Sequence, residues 1–316
     1  MGKHNELALL LGTTSRRAPF RKYLLASYAE STKRAYQCDV ACFRRWGGRI
    51  PSTDVQVAKY LAAHAGKLAY ATLQRMLAGI HREHLARGLR SPVRTELVRA
   101  TMKGIARVYT RKQRQMRPLL KEHLEAIARR MRGLKGTRDK ALLLVGFMGG
   151  FRRSELVALD VEDIEFAKGG MMVRLRRSKT DQEGEGRQVP IPKLRGALCA
   201  MRALRAWLDA SGIEEGALFR PINRHGHVAT KRLSGDAVGT IVKRYVKKIG
   251  LDPTDYSAHS LRAGLVTSAA RAGAAAWQIK RQTGHKSDQV LAGYIRDSGK
   301  FDDNVARMIF KRRVRV

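Results

Sequence analysis

The sequence is short of cysteine, of acidic residues and of long apolar runs, and each shortage removes a class of protein. Three cysteines in 316 residues, Cys38, Cys42 and Cys199, are an odd count and give no disulfide framework, which points to a reducing cytoplasm. Cys38 and Cys42 lie four apart on an expected helix with no cysteine or histidine cluster beside them, so both are read as small core residues. The longest apolar run, Ala141 to Met148, falls far short of the roughly 20 residues a bilayer span needs. The N-terminus carries no clear signal-peptide pattern, and Glu6 stands where a myristoylation motif needs Ser or Thr. No membrane partner is expected. The chain also lacks a DxD, HExxH or paired-carboxylate cluster and a P-loop, so neither a metal nor a cofactor is expected.

What is abundant is positive charge. Lys and Arg number 63 against 27 Asp and Glu, a formal charge of +36 and a pI near 11.1. An excess of this size favours a polyanion, most directly nucleic acid. It is not confined to a tail. Up to Arg117 the chain holds 24 basic and 6 acidic residues, and the remainder holds 39 and 21, so each part carries +18. Both parts are therefore expected to touch the polyanion.

Apolar periodicity divides the chain. Residues 1–30 are poorly periodic and read as a flexible arm. Residues 31–110 read as four helices, at about 31–47, 53–65, 70–87 and 92–109, with expected core positions that include Val40, Phe43, Val55, Val57, Leu61, Leu97 and Met102. A basic stretch at 111–118 ends in Pro118 and reads as a linker. Residues 119–316 are mixed. Helices are expected at about 121–132, 137–149, 153–159, 198–210, 233–249, 259–272, 275–283 and 287–296. Residues 171–177 alternate, with Val173 and Leu175 on one face and Arg174 and Arg176 on the other, and 186–192 reads as the partner strand of a hairpin. No internal repeat is present.

Several polar residues stand in informative local contexts. In GGFRRSELVAL, Arg152 follows a glycine turn at a helix start, with Glu155 three residues on. The R-x-x-E-L spacing selects Arg152 over Arg153, which turns about 100° away on a helix. Lys179 lies in the hairpin loop. His259 and Arg262 open the helix HSLRAGLVTSAARAG one turn apart, on one face. His285 follows a glycine in TGHKSDQVLAGYIRD, and Tyr294 comes nine residues later.

In chain order these residues are Arg, Lys, His-x-x-Arg, Gly-His and Tyr. That order resembles the tyrosine recombinase (phage integrase) family, and the stretch from His259 onward is most similar to the Cre-type recombinases. The resemblance covers about 118–310. It implies a mainly helical protein with a small β-sheet: an all-helical core-binding (SAM-like) domain followed by a mixed α+β catalytic domain. It also implies a site-specific recombinase that cleaves and rejoins double-stranded DNA through a 3′-phosphotyrosyl link, with no ATP. Tyr294 would be the nucleophile. Arg152 and Arg262 would bind the non-bridging phosphate oxygens, Lys179 would protonate the leaving 5′ oxygen, and His259 would assist proton transfer. His285 would hydrogen-bond a phosphate oxygen, where Cre-type relatives often carry Trp, and Glu155 would brace its neighbours. Tyr256, the nearest decoy to the nucleophile, is expected to pack.

The implied partner is DNA with paired recognition sites. The implied assembly is a homotetramer on that DNA, monomeric when free, in which an amphipathic segment at 301–310 docks into a neighbouring protomer. Candidate DNA contacts are Gln74, Arg75, Arg82 and Arg87 on the polar face of the third helix, and Arg111, Lys112 and Arg114 in the linker. The expected setting is the cytoplasm, at the nucleoid, of a prokaryote, phage or mobile element. Two alternatives stay open at this point: a type IB-like topoisomerase with the same residue set, and a DNA-binding protein of the same fold that cuts nothing.

Overall fold

The computed structural model describes residues 29–109, 115–176 and 186–285. The chain divides into two units, Met1–Arg114 and Gln115–Val316. The division falls inside the basic stretch read as a linker. Its second half belongs to the second unit: the Arg117 amide donates to the Asp255 carbonyl at 2.8 Å, and Leu119 is fully buried.

Among the described residues of the first unit, four helices enclose one core: α1 (Glu30–Arg45), α2 (Asp54–His64), α3 (Tyr70–Ala86) and α4 (Glu96–Tyr109). Thr53 caps α2, its hydroxyl accepting from the Gln56 amide at 3.2 Å. Phe43, Val57, Tyr60, Leu61, Leu73 and Ile80 form the centre. Three expected core positions are not core. Cys38 and Leu97 are exposed, as is Val55. In α1 the buried stripe holds Asp39, Val40 and Phe43, which turns Cys38 outward. In α4, Val98 is buried in place of Leu97. Asp39 is buried because Arg75 clamps it with two donors, each at 2.9 Å.

The second unit is built on α6 (Gly133–Met148), whose residues Ala141 to Phe147 are buried. Here the longest apolar run of the sequence is a central core helix. Against it pack α8 (Ala200–Ser211) and α10 (His259–Arg271). Also in this unit are α5 (Lys121–Ala128), α7 (Arg153–Ala158), α9 (Gly235–Lys248) and α11 (Ala276–Thr283). A three-stranded antiparallel sheet has the order β1 (Ile164–Ala167), β2 (Gly170–Leu175), β3 (Arg187–Pro192). Val173 pairs with Val189, and both are buried, as the alternation requires. β1 is four residues with only partial burial, too short to stand out in the sequence. The expected helix at 287–296 lies outside the described residues. Tyr256 does pack, 3% exposed and edge-on to His123.

Gly264 explains the small residues that follow Arg262. Any Cβ there would collide with the Leu119 carbonyl, and the Leu119 amide bonds to the Ser260 carbonyl at 2.9 Å. This close approach seats the start of α10 against the segment that opens the second unit. No helix among the described residues is long and apolar enough to cross a membrane.

Candidate active site

The R-x-x-E spacing is a helix-start device. Arg152 is the N-cap of α7, and Glu155 reaches back so that its Oε2 accepts from the Arg152 amide at 2.8 Å. The other oxygen of Glu155 accepts from the Arg152 guanidinium at 2.6 Å. Glu155 is buried while Arg152 keeps partial exposure, so a carboxylate fixed from below aims a cation at the surface. Arg153 goes elsewhere: it is exposed and pairs with Asp236 at 2.7 Å. The glycines before Arg152 are needed, because Gly150 has a φ of +59° and no room for a side chain against Thr283 and Leu265.

Arg262 is buried to 2% exposure. Its Nη1 donates to the Gly150 carbonyl at 2.6 Å and to the Thr283 carbonyl at 2.7 Å. It therefore ties the turn before Arg152 to the turn before His285. Gly284 ends α11 in the left-handed conformation, φ +69°, and its amide donates to Lys280. The Thr283 hydroxyl donates to the Ile279 carbonyl at 2.6 Å and lies 2.7 Å from His285 Nδ1.

Electrostatics place these groups around one space. The His285 pKa is pushed down to about 4, first by desolvation and then by the charges of Arg262, Arg152, His259 and Arg187. The His259 pKa is lowered by desolvation, Arg262 and Arg152. His259 itself stands exposed at the start of α10. Arg152, Arg262, His259 and His285 are thus brought together with Glu155, from three separate stretches of chain. The result is a cluster of cations and neutral imidazoles suited to an anion whose charge grows during reaction.

Two members of the expected set, Lys179 and Tyr294, lie outside the described residues, as do Arg111, Lys112 and Arg114. In the first unit, Gln74 is exposed and Arg82 half-buried. Arg87 donates to Glu83 at 2.8 Å and stays largely exposed. Arg75 spends two donors on Asp39, which leaves it less to offer a phosphate than its position on the helix face suggested.

Sequence reasoning missed Arg187, Gln282 and Thr283. Arg187 opens β3, and its Nη1 donates to the Gln282 carbonyl at 3.0 Å. A signal was available: strand alternation puts Arg187 on the same face as the buried Val189 and Ile191.

The chain is 37% identical over 303 residues to an integrase/recombinase XerD homolog of Selenomonas ruminantium, covering 92% of this chain and 89% of that protein. It is 30% identical over 154 residues to the tyrosine recombinase XerC of Pelotomaculum thermopropionicum, spanning about half of each, 48% and 46%. Among solved structures, a lambda integrase dimer bound to a COC′ core site matches with a TM-score of 0.62 at 19% identity, covering 93% of this chain and 81% of that one. A lambda integrase tetramer bound to a Holliday junction matches with the same score at 19% identity, covering 90% and 77%. The fold is therefore that of these integrases. The relatives are of the Xer type, so the closer affinity to Cre-type enzymes is not what these likenesses carry. They support recombination and not the type IB topoisomerase. With residues 117–300 matching the phage integrase family, and a relative of nearly equal length sharing more than a third of its residues, the chain belongs to that family and is a site-specific tyrosine recombinase.

Proposed function

We propose that this chain cuts and rejoins duplex DNA at paired recognition sites through a 3′-phosphotyrosyl link on Tyr294. The phenol oxygen attacks phosphorus as its proton passes to His259. The bond from phosphorus to the 5′ oxygen breaks, and that oxygen takes a proton from Lys179. The link keeps the energy of the phosphodiester, so the 5′ hydroxyl of a second strand reverses the step without ATP. Arg152 and Arg262 bind the non-bridging oxygens and gain most as the phosphorane becomes more negative. His285 completes this cradle.

The observation that carries the reading is the bond from Arg262 to the Gly150 carbonyl across 112 residues, which sets one arginine beside the turn that presents the other. The basic balance of both parts supports double-stranded DNA as the partner. Structures of lambda integrase on DNA and on a Holliday junction support assembly as a multimer there. In this reading the protein acts at the nucleoid. The domains are an arm at 1–30, a helical DNA-binding domain at 31–110, a linker at 111–118 and a catalytic domain from 119. Gln74, Arg82, Arg87, Arg111, Lys112 and Arg114 contact DNA.

The segment 301–310 docks into a neighbouring protomer and builds a tetramer on DNA. A groove of about 630 Å³ in the second unit, lined by Leu124, Leu144, Phe147, Met148, Leu194 and Leu198, supports this docking. Strand exchange between two duplexes, each bearing the sequence this protein selects from a random pool, tests the function. Recombinant product that depends on Tyr294 is expected. Specific binding without exchange would assign the chain to the non-cutting alternative.

A further inference from the structure

Arg187 is a guanidinium on the core-facing side of a strand, and its surroundings do not explain it as a packing residue. Its pKa is lowered, first by desolvation, with Glu155 opposing and Arg152 adding to the effect. Its Nη2 is buried and has no hydrogen-bond partner among the described residues. A desolvated cation near another arginine is costly. A neutral donor would serve equally well for the one hydrogen bond to a carbonyl that Nη1 makes. A charge held there against that cost has work to do.

Its contacts say where. Nη1 holds the Gln282 carbonyl at 3.0 Å. Gly284 lies against the guanidinium so closely that a Cβ would sit 3.0 Å from Cζ. Gln282 returns the grip: its Nε2 donates to the Pro190 carbonyl on the same strand at 3.1 Å and to the Met148 carbonyl at 2.8 Å. The strand and the turn are thus clasped in both directions. Further along the turn, Arg262 holds the Thr283 carbonyl and the Thr283 hydroxyl lies 2.7 Å from His285 Nδ1. The Arg187 charge also bears on the His285 imidazole.

We propose that Arg187 is a positioning residue of the phosphoryl-transfer site, clasping β3 to the Gln282–His285 turn so that His285 meets the phosphate. The proposal rests on the catalytic reading above. It acts through His285, so its effect is not independent of that ring. A misplacement of about 1 Å at such a site costs roughly a hundredfold in rate.

The test is a double-mutant cycle in the full chain: Arg187→Ala, His285→Ala and the double variant. The measurement is single-turnover cleavage of a nicked suicide duplex built on the selected sequence, with DNA binding followed by mobility shift. Arg187→Ala is expected to bind DNA and to cleave about a hundredfold more slowly. The double variant is expected to be no slower than the slower single one, since groups that act as a unit do not add. Gln282→Ala, which removes only the return half of the clasp, is expected to show the same non-additivity and stands in if Arg187→Ala does not fold. Wild-type cleavage by Arg187→Ala, or losses that multiply in the double variant, would overturn the proposal. A His285→Ala variant that cleaves at full rate would instead remove His285 from the catalytic reading, and the proposal with it.

Discussion

Arg262 donates to the Thr283 carbonyl at 2.7 Å, 21 residues along the chain, with the same nitrogen that holds the Gly150 carbonyl. One buried side chain thus ties the turn before Arg152 to the turn before His285. Arg262→Ala is expected to lose more than activity. It leaves two buried carbonyls without this donor, at about 1–3 kcal/mol each. The second unit should lose roughly 2–6 kcal/mol, read by denaturant unfolding, and cleavage should fall by at least about a hundredfold. Arg153→Ala is the control: its pair with Asp236 is exposed, and stability should stay within about 0.5 kcal/mol.

Gly264→Ala tests the packing that seats α10. The added methyl meets a backbone carbonyl, which cannot rotate away as a side chain could. We expect a loss of about 3 kcal/mol or more for the second unit. Gly104→Ala, on α4 with open space around it, should be neutral or stabilising by about 1 kcal/mol. Comparing thermal unfolding of the two variants checks both statements.

The pH dependence of stability follows from His285. Its folded pKa of about 4 lies below the ordinary histidine value of 6.5, so the unfolded chain binds the proton more readily. The stability this ring contributes is fully present above about pH 6.5 and is lost as pH falls toward 4. The whole span amounts to at most about 3 kcal/mol, at 1.36 kcal/mol per unit. His259 shifts in the same direction, so the measurement must be differential. Between pH 7 and pH 4, wild type should lose stability relative to His285→Asn. A constant difference would contradict the assignment of His285 to a desolvated, cation-lined pocket.

Assembly makes a separate prediction. Leu194→Arg, at the exposed rim of the groove in the second unit, or deletion of residues 301–316, should leave a monomer that binds one site. Each should abolish the tetrameric complex on paired sites in sedimentation. Tetramers of normal stability from both variants would place the interface elsewhere.

Much of this molecule is legible from its sequence because helices with one buried stripe announce themselves. The boundaries of α1, α2 and α3 fall within a few residues of the apolar periodicity. Legibility stops where burial depends on a distant partner. Asp39 is a core residue only because Arg75, 36 residues away, neutralises it, and the stripe that includes Asp39 leaves Cys38 outside. β1 escaped notice because four half-buried residues carry too little pattern. Arg152 and Glu155 were readable because their bond is local, three residues apart. Arg187 was not, because its meaning lies in a carbonyl 95 residues on. Strand alternation alone placed it on the core face, where an arginine calls for an explanation.

The most direct test of the account is to trap the protein on a nicked suicide duplex, digest the covalent adduct and locate the modified residue by mass spectrometry. The account predicts a single DNA-linked peptide, joined through the phenol oxygen of Tyr294 to a 3′ phosphate, and no adduct from Tyr294→Phe. An adduct that survives in Tyr294→Phe, or one mapped to another residue, would contradict it.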